Sequence, residues 1–175
     1  MALKVRALVL HLSASIFGDA EQIKRWHIAQ GWSTIGYHGV ILNGVRHSES
    51  GYVTSLDGVI QPGRDERIIG AHCKAGSMNS VALGCCCIGS PGFTPKGAKL
   101  APDNVTTHRY LTMAQFNSLI HWIRTNCIQY GLDPHGKFEH PFTGKIIPVI
   151  TQHSDHEKGK PLCASLNMEV LRSYL

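Results

Sequence analysis

The sequence predicts an α/β fold in a single domain, a central mixed β-sheet flanked by helices, and three observations carry that reading. At 175 residues the chain has the usual size of one compact domain. Its apolar fraction of 43% supports a hydrophobic core and excludes a disordered or coiled-coil chain. Short Val- and Leu-rich runs alternate with capped amphipathic stretches, the pattern of strands and helices packed in layers with at least part of the sheet parallel.

The first run, Lys4 to Leu12, is apolar and suits a strand buried on both faces. Asp19 followed by Gln22 marks a helix start, and Ile23, Trp26 and Gln30 share one stripe ahead of Gly31, so a helix is predicted over 20–30. Tyr37 to Leu42 and Val53 to Gln61 carry strand formers, and the polar stretch Asn43 to Ser50 between them reads as a surface loop or hairpin extension. Val81 to Ile88 reads as another buried strand, closed by Gly89-Ser90-Pro91-Gly92. Gly92 to Thr107 then forms a surface loop. The clearest helix opens with a capping box at Thr112 and Gln115 and places Phe116, Leu119, Ile120, Ile123 and Cys127 at helical spacing until Gly131. Ile146 to Ile150 is a short apolar strand, and a final helix covers 166–174. His11 ends the first strand and His153 follows the last; in parallel register both imidazoles reach one edge, where sites in open α/β sheets gather.

The formal charge of +5 favours an anionic partner, but the basic residues are scattered and form no Lys/Arg-rich run, so a dedicated nucleic-acid surface is not expected. No stretch of 18 apolar residues is present to span a membrane. Met1 to Phe17 has the basic-then-apolar order of a signal peptide, but His11 and Ser13 interrupt it, so it reads as a first strand. The expectation is a chain made and folded in the cytoplasm. Cysteine usage agrees, because the consecutive Cys85-Cys86-Cys87 do not suit disulfide geometry and imply reduced thiols.

Eleven His and six Cys are a surplus of metal donors without any Cys-x-x-Cys pair. A lone histidine after a buried strand is ordinarily a hydrogen-bonded structural residue. Cys163, ten residues after His153 in a stretch too polar for a core element, changes that reading for His11 and His153. Two imidazoles and one thiolate make a three-ligand zinc site whose fourth position stays open, the pattern of a catalytic zinc. Spacing alone leaves His156 as an alternative to His153, and Cys127 or Cys73 as alternatives to Cys163.

These segments, taken in order, resemble the zinc-dependent N-acetylmuramoyl-L-alanine amidases of bacteriophage endolysins, which share their fold with peptidoglycan recognition proteins. Leu10-His11-Leu12-Ser13-Ala14 resembles the first family motif. Ile23-Lys24-Arg25-Trp26-His27, Gln30-Gly31-Trp32 and Ile35-Gly36-Tyr37-His38 resemble the helix, Gly-Trp turn and Gly-Tyr-His strand. Asp57-Gly58, Gly63-Arg64 and Gly70-Ala71-His72 resemble the next block, and Asn79-Ser80 with Leu83-Gly84 the one after it. Thr112, Gln115 and Leu119 resemble the second long helix, and His153 to Cys163 the closing ligand segment.

The resemblance implies one Zn2+ held by His11, His153 and Cys163, with Tyr37 and Lys160 assisting catalysis and His72 and Asn79 lining the substrate groove or supporting the site. His27 and His38 are read as structural. In similar endolysins the catalytic lysine stands two residues before the last ligand, where this chain has Pro161; Lys160 stands three before it and Lys158 competes for the role. Some relatives place a glutamate in the strand that here reads Gly84-Cys85-Cys86-Cys87, so a tyrosine/lysine mechanism is implied instead. The insertion 43–54 has no counterpart and is expected to shape one wall of the groove. The implied activity is hydrolysis of the amide between N-acetylmuramic acid and L-alanine in peptidoglycan, by a monomeric catalytic domain that meets the wall after release from the host cytoplasm. The alternative is a non-catalytic peptidoglycan-binding module of the same fold.

Overall fold

Strand β1 (Ala7–Leu12) runs through the middle of a sheet, and all six of its residues are buried. The computed structural model describes residues 3–175; Met1 and Ala2, within the 1–175 span read as one domain, lie outside the described residues. Next along the chain come helix α1 (Ala20–Ala29), β2 (Gly39–Asn43), β3 (Asp57–Pro62) and β4 (Ala82–Cys87). The long helix α2 (Met113–Tyr130), the short strands β5 (Lys137–Glu139), β6 (Ile146–Pro148) and β7 (Ile150–Gln152), and helix α3 (Met168–Arg172) complete it. The main sheet has the order β3-β2-β4-β1-β7, and β5 and β6 form a separate hairpin. Only β3 runs antiparallel to its neighbour, so the sheet is mixed, as the alternating pattern predicts.

Alternation along the central strands sorts the core. Leu8, Leu10 and Leu12 of β1, with Leu83, Cys85 and Cys87 of β4, face α2 and pack on Phe116, Leu119 and Ile123. Cys86 and Ile88 point to the opposite face, against Ile23 of α1, Ile35 and Val40. The triple cysteine therefore serves as small apolar packing on both faces of a buried strand, and all six cysteines are free thiols.

The predicted caps form. Asp19 accepts from Gln22 N at 2.7 Å and starts α1. Thr112 and Gln115 make the reciprocal capping box of α2. Buried Gln115 also donates from Nε2 to the carbonyls of Ile41 and Ile88, tying the helix start to β2 and to the exit of β4. Gly131 ends α2 in the left-handed region at φ 63°, where a side chain would be strained.

Three expectations are corrected. Ile146 to Ile150 is two strands, because Pro148 has no N–H for a ladder and Val149 donates instead to Gly136; β6 joins β5 and only β7 enters the main sheet. Val53 to Gln61 opens as a 3-10 turn over Thr54–Leu56 before β3 begins. The insertion 43–54 does not wall the main cavity: Arg46 pairs with Asp19 at 3.1 Å, Val53 N donates to Gly44 O, and Tyr52 donates to Asp57, so the segment folds onto the start of α1 and of β3.

Candidate metal centre and surrounding cavity

His11 occupies the carboxyl end of β1 and is 1% exposed. Register pairs β7 with β1 in parallel, so the chain leaves Gln152 at the same edge and His153 begins a 3-10 turn there. The following loop is folded back by Ser154 N donating to Cys163 O at 2.6 Å and by both ends of the Gln152 amide bonding to the backbone of Leu166. Cys163 thereby arrives beside β1, its Sγ accepting from Leu12 N at 3.3 Å and lying 3.7 Å from His11 Nδ1. One ligand atom from each of His11, His153 and Cys163 lies within 4.8 Å of the others.

This geometry separates the alternatives that spacing leaves open. His156 turns its Nε2 to the Thr151 hydroxyl at 3.1 Å and stands outside the cluster. Cys127 packs in the core from the buried face of α2, and Cys73 packs with Met78 and Val81.

The cluster opens into a cavity of about 770 Å³, lined among others by Tyr37, Trp32, His72, Lys74, Glu157 and Lys160. Tyr37 sits with its ring centroid 5.0 Å from that of His11. Lys160 lines this cavity and Lys158 does not. Asn79 lies on the wall with its Oδ1 accepting from the backbone N–H groups of His72 and Cys73, at 2.8 and 2.7 Å.

With this arrangement in hand, comparison with known proteins is direct: the N-acetylmuramoyl-L-alanine amidase family profile matches residues 1–163. The chain belongs to this amidase family. Among curated relatives, the endolysin of Enterobacteria phage K11 is 32% identical over 103 residues, 59% of this chain and 54% of the relative. The endolysin of Escherichia phage T7 is 32% identical over 111 residues, 60% of this chain and 62% of the relative. The chain thus spans between half and two thirds of the length of these two. Among solved structures, the amidase LysC from Clostridium intestinale URNW superposes with a TM-score of 0.65 at 21% identity, covering 98% of this chain and 85% of that one. Drosophila peptidoglycan recognition protein SD gives 0.61 at 16% identity, covering 97% and 81%. At such identities the solved structures establish the shared fold.

Within this amidase family member, burial acts on two of the three candidate ligands, His11 and Cys163. His11 is held well below its ordinary value, first by burial and then by neighbouring His72 and His153, so its imidazole is neutral and can offer a lone pair. Burial pushes the Cys163 thiol up, opposed by the Leu12 N–H and by Lys160; a metal would displace that proton. Two imidazoles and a thiol whose proton a metal can displace, converging beside a cavity, are a donor set that fits zinc. Burial also raises the Tyr37 phenol well above its ordinary value, leaving it a hydrogen-bond donor at neutral pH.

His27 and His38, read as structural, are both hydrogen-bonded to the backbone, and His27 also lines the cavity. His27 Nδ1 accepts from Gly36 N at 3.0 Å, and His38 bridges from Gly84 N, accepted at 2.9 Å on Nδ1, to the Ile68 carbonyl at 3.0 Å. Three lining residues escaped sequence reasoning. Glu157 meets His153 four residues earlier; that spacing was visible in the sequence, but the 3-10 turn that makes it useful was not. Lys74 flanks the motifs and Trp32 belongs to the Gly-Trp turn, and both reach the cavity only through the fold.

Proposed function

We propose that this chain hydrolyses the amide joining the lactyl group of N-acetylmuramic acid to L-alanine of the peptide stem, with one zinc held by His11, His153 and Cys163. The single observation carrying this reading is the convergence of those three donors beside a cavity that Tyr37 and Lys160 line. A bound zinc would supply a Lewis acid for the amide carbonyl and a water acidic enough to be a nucleophile near pH 7. The chain's own groups account for the rest. Tyr37 and Lys160 each present an N–H or O–H to a carbonyl oxygen that gains negative charge as water adds to its carbon. The carbon–nitrogen bond then breaks, both protons of the water end on the leaving nitrogen, and the products are a lactyl carboxylate and a stem peptide with a new, protonated amino terminus. The tyrosine/lysine version is favoured because β4 offers Cys85, Cys86 and Cys87 where a carboxylate would be needed. The enzyme would act on the wall as a monomer after release from the cytoplasm, aided by attraction between its basic surface and anionic wall polymers.

Digestion of purified peptidoglycan tests this. The expected result is stoichiometric zinc and new L-alanine amino termini, with Cys163→Ser losing both while keeping its circular dichroism spectrum. Wall binding without new amino termini would establish the non-catalytic module instead.

A further inference from the structure

The cluster is braced by a chain of hydrogen bonds that runs from His11 through His72, a residue of the cavity wall, to β4. His11 Nε2 lies 3.0 Å from His72 Nδ1, and His72 Nε2 lies 3.2 Å from the Ala82 carbonyl of β4. A carbonyl only accepts, so neutral His72 must carry its proton on Nε2. Its Nδ1 is then a lone pair, which only a proton on His11 Nε2 can satisfy. The proton count along the chain therefore leaves His11 Nδ1 bare, the nitrogen that faces Cys163 Sγ. The reverse order would set a His72 lone pair against the Ala82 oxygen.

His72 is held tightly enough to impose this order. It is buried, and its backbone and that of Cys73 are anchored by the Asn79 amide oxygen. Its ring occupies space left by two glycines: a Cβ on Gly84 would stand 2.4 Å from His72 Cγ, and one on Gly70 2.5 Å from His72 Cδ2.

We propose that His72 is a positioning residue for the metal, setting the tautomer and ring angle of His11 so that Nδ1 is the ligand atom, with Asn79 holding His72 in turn. A metal-ligating histidine commonly gives its second N–H to a carboxylate or carbonyl; here a second imidazole is interposed, passing the demand of the Ala82 carbonyl to His11. This inference rests on the zinc reading above, and the experiment separates the two.

Zinc affinity is measured by competition with a chromophoric chelator, and the ring tautomer of His11 by 15N shifts in the metal-free protein. Wild type should show His11 protonated on Nε2. His72→Ala should bind zinc about 10- to 100-fold more weakly and lose the fixed tautomer. His72→Asn, whose amide oxygen stands near the former Nδ1, should recover most of the affinity. Failure of wild type to bind zinc would overturn the metal reading. Tight zinc binding with unchanged affinity in His72→Ala, or an Nδ1-protonated His11 in wild type, would overturn this one. If His72→Ala does not fold, His72→Asn and the wild-type tautomer still decide.

Discussion

His153 Nε2 and Glu157 Oε2 lie 2.9 Å apart, joined across the 3-10 turn that also delivers Cys163. The pair leaves Nδ1 as the free ring nitrogen of His153. Because the carboxylate accepts the Nε2 proton, it orients the ring and makes the free nitrogen a better donor. Glu157→Gln keeps the size and a hydrogen-bonding group but removes the charge. We expect zinc affinity to fall about 10- to 100-fold, read by chelator competition, with little change in metal-free thermal stability. Unchanged affinity would show the pair to be incidental.

Tyr37 and Lys160 both line the cavity, whereas Lys158 does not. Removing one donor to a developing oxyanion costs about 10²- to 10³-fold in kcat. Tyr37→Phe and Lys160→Ala should each show a loss of that order while retaining zinc, and Lys158→Ala should turn over at the wild-type rate. A large loss in Lys158→Ala with none in Lys160→Ala would reverse the lysine assignment.

Buried Tyr110 donates its hydroxyl to the carbonyl of Ala164, fastening the residue after Cys163 to the core. Tyr110→Phe strands that carbonyl, a cost of about 1–3 kcal/mol. With about 2–4 °C per kcal/mol for a chain of this size, Tm should fall by several degrees. A Tm equal to wild type would mean the carbonyl finds another partner.

Acid should destabilise the metal-free fold. Burial holds His38 and His27 below the ordinary value of 6.5. Each uses Nδ1 to accept a backbone N–H, which a second ring proton would abolish. The unfolded chain takes up these protons near pH 6.5 and the folded one only at lower pH, so their contribution is full above 6.5 and declines as pH drops through the folded values. Thermal melts of metal-free protein between pH 7.5 and 5 should show Tm falling, with a shallower fall in His38→Asn. An identical slope in that variant would assign the acid sensitivity to other groups.

Much of this architecture was legible in the chain because it depends on local physics. Asp19 and Thr112 cap helices through bonds to residues three positions on, and the largely apolar runs of β1 and β4 demand burial on both faces. The strand ending in His11 and the polar loop ending in Cys163 carried the donor set, and motif order carried the family. The hairpin of β5 and β6 was not legible, since three-residue strands have too little periodicity and Pro148 and Val149 divide an apolar run that reads as one strand.

The sequence by itself determined which elements form, which residue types could ligate a metal and which family the order of motifs belongs to. Only the tertiary structure decided that His153 rather than His156 joins His11, that Lys160 rather than Lys158 reaches the cavity, and that Glu157 and His72 stand behind the candidate ligands. The physical reason is range: caps and strand periodicity act over two to four residues, whereas these choices depend on parallel register between β1 and β7 and on a loop folded across 152 positions to bring Cys163 to His11.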